Sequence, residues 1–214
     1  MIIDCISDLH GQTPELPGGD VLIIAGDLLS HGGLIEQFHF DRWLEVQDYK
    51  HKIIVAGNHD NFIRDDGFVV NNFRQYNVDY LEDSGCVIEG IKFWGSPWSL
   101  LFNGIHPQCK AFTGSESALK KHWDLIPDDT QVLITHGPAF GILDLLENGD
   151  NAGSKTLTER IDHLKNLRVH ICGHIHEARG SYINPTHVKF INASMVDRRY
   201  KKYDKQYERI IWTG

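Results

Sequence analysis

Short apolar runs recur along the chain at Ile2–Ile6, Val21–Ala25, Lys52–Ala56, Gln131–Thr135 and Arg168–Cys172, each of a length suited to a buried strand. Each stops at a polar or glycine-bearing turn. Between the second and third runs the period changes. Leu34 and Phe38, then Phe40, Trp43 and Leu44, recur at spacings of three and four, which predicts an amphipathic helix over Leu34–Gln47 packed on a sheet. Ser115–Ile126 and Ser154–Leu167 read the same way. Ser115 is the expected cap of the first; Ser154 or Thr156 is that of the second, where Glu159 would complete a capping box with Thr156. Val87–Trp94 reads as a hairpin turning at Glu89-Gly90, and Gly180–Ser194 and Tyr207–Trp212 as further strand. Strands that alternate with helices early and form hairpins later predict a layered α/β sandwich rather than a simple doubly wound sheet.

Composition narrows this picture without redirecting it. The 214 residues are about one and a half times an ordinary domain length of roughly 150, and no linker or repeat divides them, so one domain over 1–214 is expected. With 41% hydrophobic and 23% charged residues the chain is an ordinary globule, able to hold a core without a structural metal. Any metal is then functional. The net charge of −8 argues against a stable nucleic-acid complex built on bulk positive charge. The Lys-, Arg- and Tyr-rich cluster Asp197–Arg209 reads as a solvated face rather than an RNA-binding patch, since Asp197, Asp204 and Glu208 interrupt it. No run approaches the roughly 20 apolar residues of a membrane span, and the first residues lack the basic and apolar regions of a signal peptide. Cys5, Cys86, Cys109 and Cys172 are scattered, as in a reducing compartment, and a cytoplasmic location is expected. Cys5 and Cys172 lie inside strand runs as buried thiols.

Polar residues collect at the carboxyl ends of the five runs, where open α/β sheets gather ligand-binding loops. Asp8 and His10 follow the first, Gly26-Asp27 the second, Gly57-Asn58-His59-Asp60 the third, Thr135-His136-Gly137-Pro138 the fourth and Gly173-His174-Ile175-His176 the fifth. Any one of these groups alone is an ordinary turn; five in this order are not. Asp8 and His10, and likewise His174 and His176, stand at i and i+2, so in extended backbone each pair would point to one side and grip one locus. The neighbouring glycines are expected to serve tight turns. Two carboxylates, one carboxamide and four imidazoles give seven oxygen and nitrogen donors without thiolate, a set suited to Mn above all and also to Fe, Co, Ni or Zn. Seven donors exceed the needs of one ion. Two divalent metal ions sharing Asp27 receive four protein donors each, with room for a bridging water.

The order Asp-x-His, Gly-Asp, Gly-Asn-His-Asp, His-Gly and Gly-His-x-His, spanning Asp8 to His176, resembles the signature of the calcineurin-like metallophosphoesterase superfamily. Leu81-Glu82-Asp83-Ser84, Lys92 to Trp98, Trp123 to Pro127, Thr135 to Pro138, Gly173 to Glu177 and Ile191-Asn192-Ala193-Ser194 are similar to its small metallophosphoesterase-domain-containing, class III type phosphodiesterases. The resemblance implies a four-layer α/β/β/α sandwich. It also implies that Asp8, His10, Asp27 and His176 hold the first ion and Asp27, Asn58, His136 and His174 the second. His59 then matches the catalytic histidine and Asp60 its orienting carboxylate, though a backbone carbonyl would serve equally. Some relatives carry glycine at the place of His174; the histidine here implies a full dinuclear centre. Gly26-Asp27 runs into Leu28-Leu29-Ser30-His31 and lacks the Asp-Arg-Gly element of protein phosphatases.

Together these readings imply a phosphodiesterase acting on small phosphodiesters, cyclic nucleotides included. A metal-bridging hydroxide would attack in line, and His59 would protonate the leaving group. The alternatives are a phosphomonoesterase of the same fold and a catalytically idle scaffold. A small phosphodiester or nucleotide is the expected partner, no membrane is, and a homodimer stays open. Trp94, Trp98, Phe102 and Asn103 fall in a loop that the resemblance implies near the site, with core packing as the competing role. Arg179 is a candidate to neutralise phosphate. His31, His39, His51, His106, His122, His163, His170 and His187 are left as surface or structural residues.

Overall fold

Strands that are apolar on both faces need partners on both sides, and the runs of this chain find them in two sheets. The structure is a computed structural model that describes residues 1–31, 33–65, 73, 76–101 and 108–213. In a five-stranded sheet, β1 (Ile2–Ile6), β2 (Gly19–Ala25), β3 (Tyr49–Val55) and β4 (Val78–Tyr80) run parallel, and β13 (Glu208–Ile211) joins β1 antiparallel, giving the order β13-β1-β2-β3-β4. A second sheet has a parallel centre of β12 (Lys189–Asn192), β10 (Val169–Cys172), β9 (Val132–Thr135) and β6 (Ile91–Ser96). Antiparallel β11 (Gly180–Ile183) and β5 (Ser84–Ile88) form its edges. Its six strands stand in the order β11-β12-β10-β9-β6-β5. A two-stranded pair, β7 (Ser99–Leu100) and β8 (Thr113–Gly114), stands apart.

Alternate residues of each central strand go to different clusters. Val21, Ile23 and Ala25 of β2 and Ile53 and Val55 of β3 meet Val132 and Ile134 of β9, Ile171 of β10 and Ile191 of β12, so the two sheets share one apolar layer. Leu22, Ile24 and Ile54 face away, against Phe40, Trp43 and Leu44 of helix α1 (Leu34–Glu45). A short helix α2 (Asn61–Asp65) follows β3. On the far side, Leu133 and Phe190 pack against Leu119 and Trp123 of α3 (Glu116–Trp123) and Leu157 and Ile161 of α4 (Lys155–His163). Each fully buried aliphatic side chain here contributes about 1.5–3 kcal/mol.

Two local expectations change and one holds. In α1, Leu34 and Phe38 are 74% and 61% exposed rather than packed on the sheet. The step from Phe38 to Phe40 turns about 200° around a helix, so the buried stripe of Gln37, Phe40, Trp43 and Leu44 leaves the first turn outside. In α4 the cap is Ser154, whose hydroxyl accepts from the Leu157 amide at 3.2 Å, and no Thr156–Glu159 box forms. Glu116 of α3 takes the place of a local acid, accepting from the Lys155 and Thr156 amides and from the hydroxyls of Ser154 and Thr156. The hairpin turn is as expected. Glu89 (φ 50°) and Gly90 (φ 80°) are both left-handed, as the favoured two-residue turn requires.

All five site-bearing runs end at one edge of the paired sheets, and Ser7 stitches the sheets together there. Its amide donates to the Ala193 carbonyl and its own carbonyl accepts from Met195, both at 3.0 Å. Among the described residues, no helix is long and apolar enough to cross a membrane.

Candidate metal centre

The loops leaving β1, β2 and β10 place their ligand candidates in left-handed backbone: Asp8 at φ 57°, His10 at 46°, Asp27 at 53° and His174 at 68°. A non-glycine residue there is strained, and such strain concentrates at functional sites. It also replaces the extended geometry that the i, i+2 argument assumes. Asp8 and His10 do converge, but with His176, while His174 turns away to join Asp27 and His136. The adjacent glycines mostly do something other than turn. Gly11 and Gly26 have a left-handed φ, at 74° and 98°; Gly57, Gly137 and Gly173 do not. A Cβ on Gly57 would lie within 3.0 Å of Asp27 Oδ1, and one on Gly173 within 3.0 Å of Asp8 Oδ2, so these glycines make room for carboxylates.

Donor atoms of Asp8, His10 and His176 lie within 4.8 Å of one another, as do those of His10, Asp27 and His59 and those of Asp27, His136 and His174. Asp27 belongs to two groups. The rings are oriented from behind. His136 Nδ1 donates to the Ala25 carbonyl at 3.0 Å, His176 Nδ1 to the Asp197 carbonyl at 3.2 Å and His59 Nδ1 to the Ser30 carbonyl at 2.9 Å. A carbonyl only accepts, so each neutral ring carries its proton on Nδ1 and turns the Nε2 lone pair to the site. Asn58 is fixed likewise: Nδ2 donates to the Cys109 carbonyl at 3.1 Å, leaving Oδ1 3.0 Å from His136 Nε2. Asp27 Oδ1 is 3.3 Å from that same nitrogen. Three acceptors therefore meet at one point, and His10 Nε2 and His176 Nε2 meet at 3.2 Å at a second. Such convergence demands a proton or a cation.

Charge tells the same story. Burial disfavours ionised Asp8, but His176 more than offsets it and the carboxyl stays well below its usual range. Asp27 is held down against burial chiefly by His136. In return, His136, which burial alone would depress, is raised to about 9 by Asp27, and His176 is raised against burial by Asp8. His10 falls to about 4 through burial. His174 falls to about 3 through burial and then the His136 charge. A divalent ion would take over the protons' role, and the mixed carboxylate, carboxamide and imidazole set fits one.

Asp60 does not orient His59. Its carboxylate accepts from the amides of Leu28 (3.0 Å), Leu29 (3.1 Å) and Gly57 (2.7 Å), tying the β2 and β3 loops together, and the Ser30 carbonyl does the orienting. Burial, then the Asp27 charge, pushes Asp60 up to about 7. Arg179 is not free for phosphate: it bonds the Ser194 carbonyl, pairs with Glu208 at 3.0 Å and lies over Tyr203. Trp98 takes the packing role, stacked on His122 at 3.9 Å and donating to Asp83 at 3.0 Å, and Trp94 packs beside α3 and α4. Phe102, Asn103 and His106 lie outside the described residues. Cys5 and Cys172 are buried, with thiol pKa values raised by burial.

The cluster Asp197–Arg209 is more than a solvated face. Asp197 cages a turn by accepting from the Arg199 and Lys201 amides and lends its carbonyl to His176; the Tyr203 hydroxyl donates to the His176 carbonyl at 3.2 Å. Tyr200, at the tip of that turn, sets its ring edge-on to His10 and His176. Burial, then the charge of Asp27, pushes its phenol up to about 12. The sequence marks this segment only as a Lys-, Arg- and Tyr-rich cluster, because a backbone carbonyl has no letter and Tyr200 is 24 residues past the last ligand candidate, His176.

Known proteins are similar to this chain in sequence and in fold. The family profile described as calcineurin-like phosphoesterase matches residues 1–178. Human metallophosphoesterase domain-containing protein 1 is 32% identical over 222 residues, covering 92% of this chain and 67% of the human protein. A UPF0046 protein of Caenorhabditis elegans is 34% identical over 214 residues, covering 91% of this chain and 69% of the worm protein. In three dimensions the chain is similar to the crystal structure of TT1561 from Thermus thermophilus, with a TM-score of 0.62 at 15% identity over 97% of both chains.

Proposed function

This chain belongs to the calcineurin-like phosphoesterase family and is a hydrolase of the metallophosphoesterase type; from that premise we propose that it is a dinuclear phosphodiesterase acting on small phosphodiesters, cyclic nucleotides among them. The observation that carries the reading is the meeting of His136 Nε2, Asn58 Oδ1 and Asp27 Oδ1, three acceptors as long as His136 is neutral, which only a proton or a cation can hold together. Asp8, His10, Asp27 and His176 would hold one divalent ion, and Asp27, Asn58, His136 and His174 the other, with manganese the first choice for a nitrogen and oxygen set. When bound, the pair supplies Lewis-acid charge for two phosphoryl oxygens and acidifies a water nucleophile.

The chain's own part is positioning and proton transfer. His59 keeps Nδ1–H on the Ser30 carbonyl, so its Nε2 is the atom that takes up a proton and returns it to a departing alkoxide. Asp60 holds the Leu28 and Gly57 loops that carry Asp27 and His59 and is a positioning residue. The carboxylates of the site pair with histidines rather than with Lys or Arg among the described residues, and Arg179 is committed to Glu208. A monoester dianion gains from fixed cations; a diester monoanion with an alkoxide leaving group needs them less and needs the His59 proton more. Four free, scattered cysteines support a cytoplasmic setting.

The test is a substrate panel on protein of known manganese content: bis(p-nitrophenyl) phosphate, p-nitrophenyl phosphate, and 2′,3′- and 3′,5′-cyclic nucleotides. Greater kcat/KM on a diester than on the monoester is expected. If the monoester exceeds every diester, the protein is a phosphomonoesterase instead.

A further inference from the structure

The ring of His10 is flanked by two others, His59 at 4.6 Å and Tyr200 at 4.7 Å between centroids, both edge-on. His59 is the residue to which the mechanism gives the leaving-group proton. Tyr200 also meets His176 at 5.3 Å, so it stands over the pair of imidazoles nearest Asp8 while staying 37% exposed. It is held there at a cost. Its backbone is left-handed at φ 59°, and the turn that imposes this is bonded on every side: the Tyr200 amide donates to the Asp197 carbonyl at 2.8 Å, the Asp197 amide bonds the Lys201 carbonyl at 2.8 Å, and Gln12, two residues beyond His10, donates to the Tyr200 carbonyl at 3.3 Å. The same Asp197 carbonyl orients His176. A ligand-orienting turn thus carries a large ring to the rim of the centre, on a segment beyond the residues matched by the family profile.

We propose that Tyr200 is a specificity-determining residue whose ring packs against the organic group of the bound phosphoester, favouring flat aryl or nucleoside groups over small alkyl ones. A ring presented beside a phosphate-binding centre offers apolar surface at little entropic cost, because only two side-chain torsions are to be fixed. The inference rests on the phosphoester reading above but not on its preference for diesters.

The test is equilibrium binding of methyl phosphate and phenyl phosphate to manganese-loaded protein by calorimetry, with metal content measured in parallel. Tyr200→Phe keeps the ring, and Tyr200→Asn removes it with a residue that tolerates left-handed backbone, so folding is spared. Wild type and Tyr200→Phe should bind phenyl phosphate about tenfold tighter than methyl phosphate, the size of one aromatic contact. In Tyr200→Asn that preference should vanish while methyl phosphate affinity stays within about twofold and manganese content is unchanged. A preference that survives in Tyr200→Asn, or is absent from the wild type, overturns the proposal. Loss of manganese in Tyr200→Asn overturns it too, making the ring a prop for His10 and His176. Should the monoester win the turnover panel, only the diester reading fails, since the phenyl-to-methyl ratio is a binding ratio.

Discussion

Asp4 lies within β1 and Asp8 just past its end, both wholly buried, yet they are closed in opposite ways. Asp4 is met by side chains. Arg209 of β13 clamps it with Nε at 2.7 Å and a terminal nitrogen at 2.8 Å, and the Tyr49 hydroxyl of β3 donates at 2.7 Å. Charge and hydrogen bonds balance within the chain. Asp8 instead accepts from the His174 amide at 3.1 Å and faces His176 at 3.5 Å, and Asp27 faces His136 and His10. Imidazoles neutralise these carboxylates only while protonated. The chain thus completes one end of its sheet by itself and leaves the other to be completed by something it does not carry, which is the difference between a structural ion pair and a binding site.

The sharpest break of that comparison exchanges the two losses. Asp27→Asn should drop bound manganese from about two ions per chain to none and take turnover with it, because both groups share Asp27. In the presence of chelator its loss of urea stability should be smaller than that of Asp4→Asn, since His136 can give up its proton and no fixed cation is left behind. Asp4→Asn should do the reverse, keeping metal and turnover while losing about 3 kcal/mol, the low end for a broken buried pair because Arg209 keeps a third of its exposure. Elemental analysis and urea midpoints on both variants decide it. Retention of two ions in Asp27→Asn would falsify the shared assignment.

Next comes a residue at the metal end whose removal should leave the metals alone. His59→Ala should keep its manganese yet lose about a hundredfold in kcat on substrates with alkoxide leaving groups, and much less on activated nitrophenolates, which need no proton. Equal losses on both substrate kinds would take His59 out of the acid role and leave it an electrostatic one.

How far the sequence spoke follows the same division. The five strands that end at the site, the two-residue hairpin turn and the loops bearing Asp8, Asp27, Asn58, His136 and His174 were legible, because each strand is written as an apolar run stopped by a polar residue, while the short β4, β7 and β8 carry no such run. What those residues do inside their loops was not. The left-handed backbone at Asp8, His10, Asp27 and His174 depends on contacts across both sheets, and it separates His174 from His176, which spacing alone would pair. Asp60 looks like a partner for its neighbour His59 but is claimed by amides of a loop some thirty residues earlier. Phe38 belongs to the right helix and the wrong face. The orienting carbonyls of Ala25, Ser30 and Asp197 are invisible to any reading of side chains.

The smallest expected effect contrasts two imidazoles rather than two carboxylates. His136, just past the end of β9, and His170, within the neighbouring β10, are both fully buried, where burial alone would depress each. Asp27 raises His136 to about 9; His170, subject to burial without a carboxylate to oppose it, falls to about 3. Its Nε2 instead bonds the Thr135 hydroxyl at 2.8 Å, which donates onward to the Gly137 carbonyl at 2.6 Å, and its ring meets Phe190 edge-on. Like Asp4, it is closed by the chain itself. A histidine depressed in the fold binds no proton there until about pH 3, whereas the unfolded chain takes one up near pH 6.5, so stability from this group is present above that value and lost progressively as pH falls from about 6.5 toward 3. Between pH 7 and pH 5 the loss from one such group is about 2 kcal/mol. His170→Gln, which keeps an N–H for Thr135 and does not titrate, should therefore be less stable than wild type at pH 7 but lose about 2 kcal/mol less on acidification to pH 5 in chelator. Urea midpoints at the two pH values measure the difference, and parallel shifts in the two proteins would mean that His170 is not held neutral by the fold.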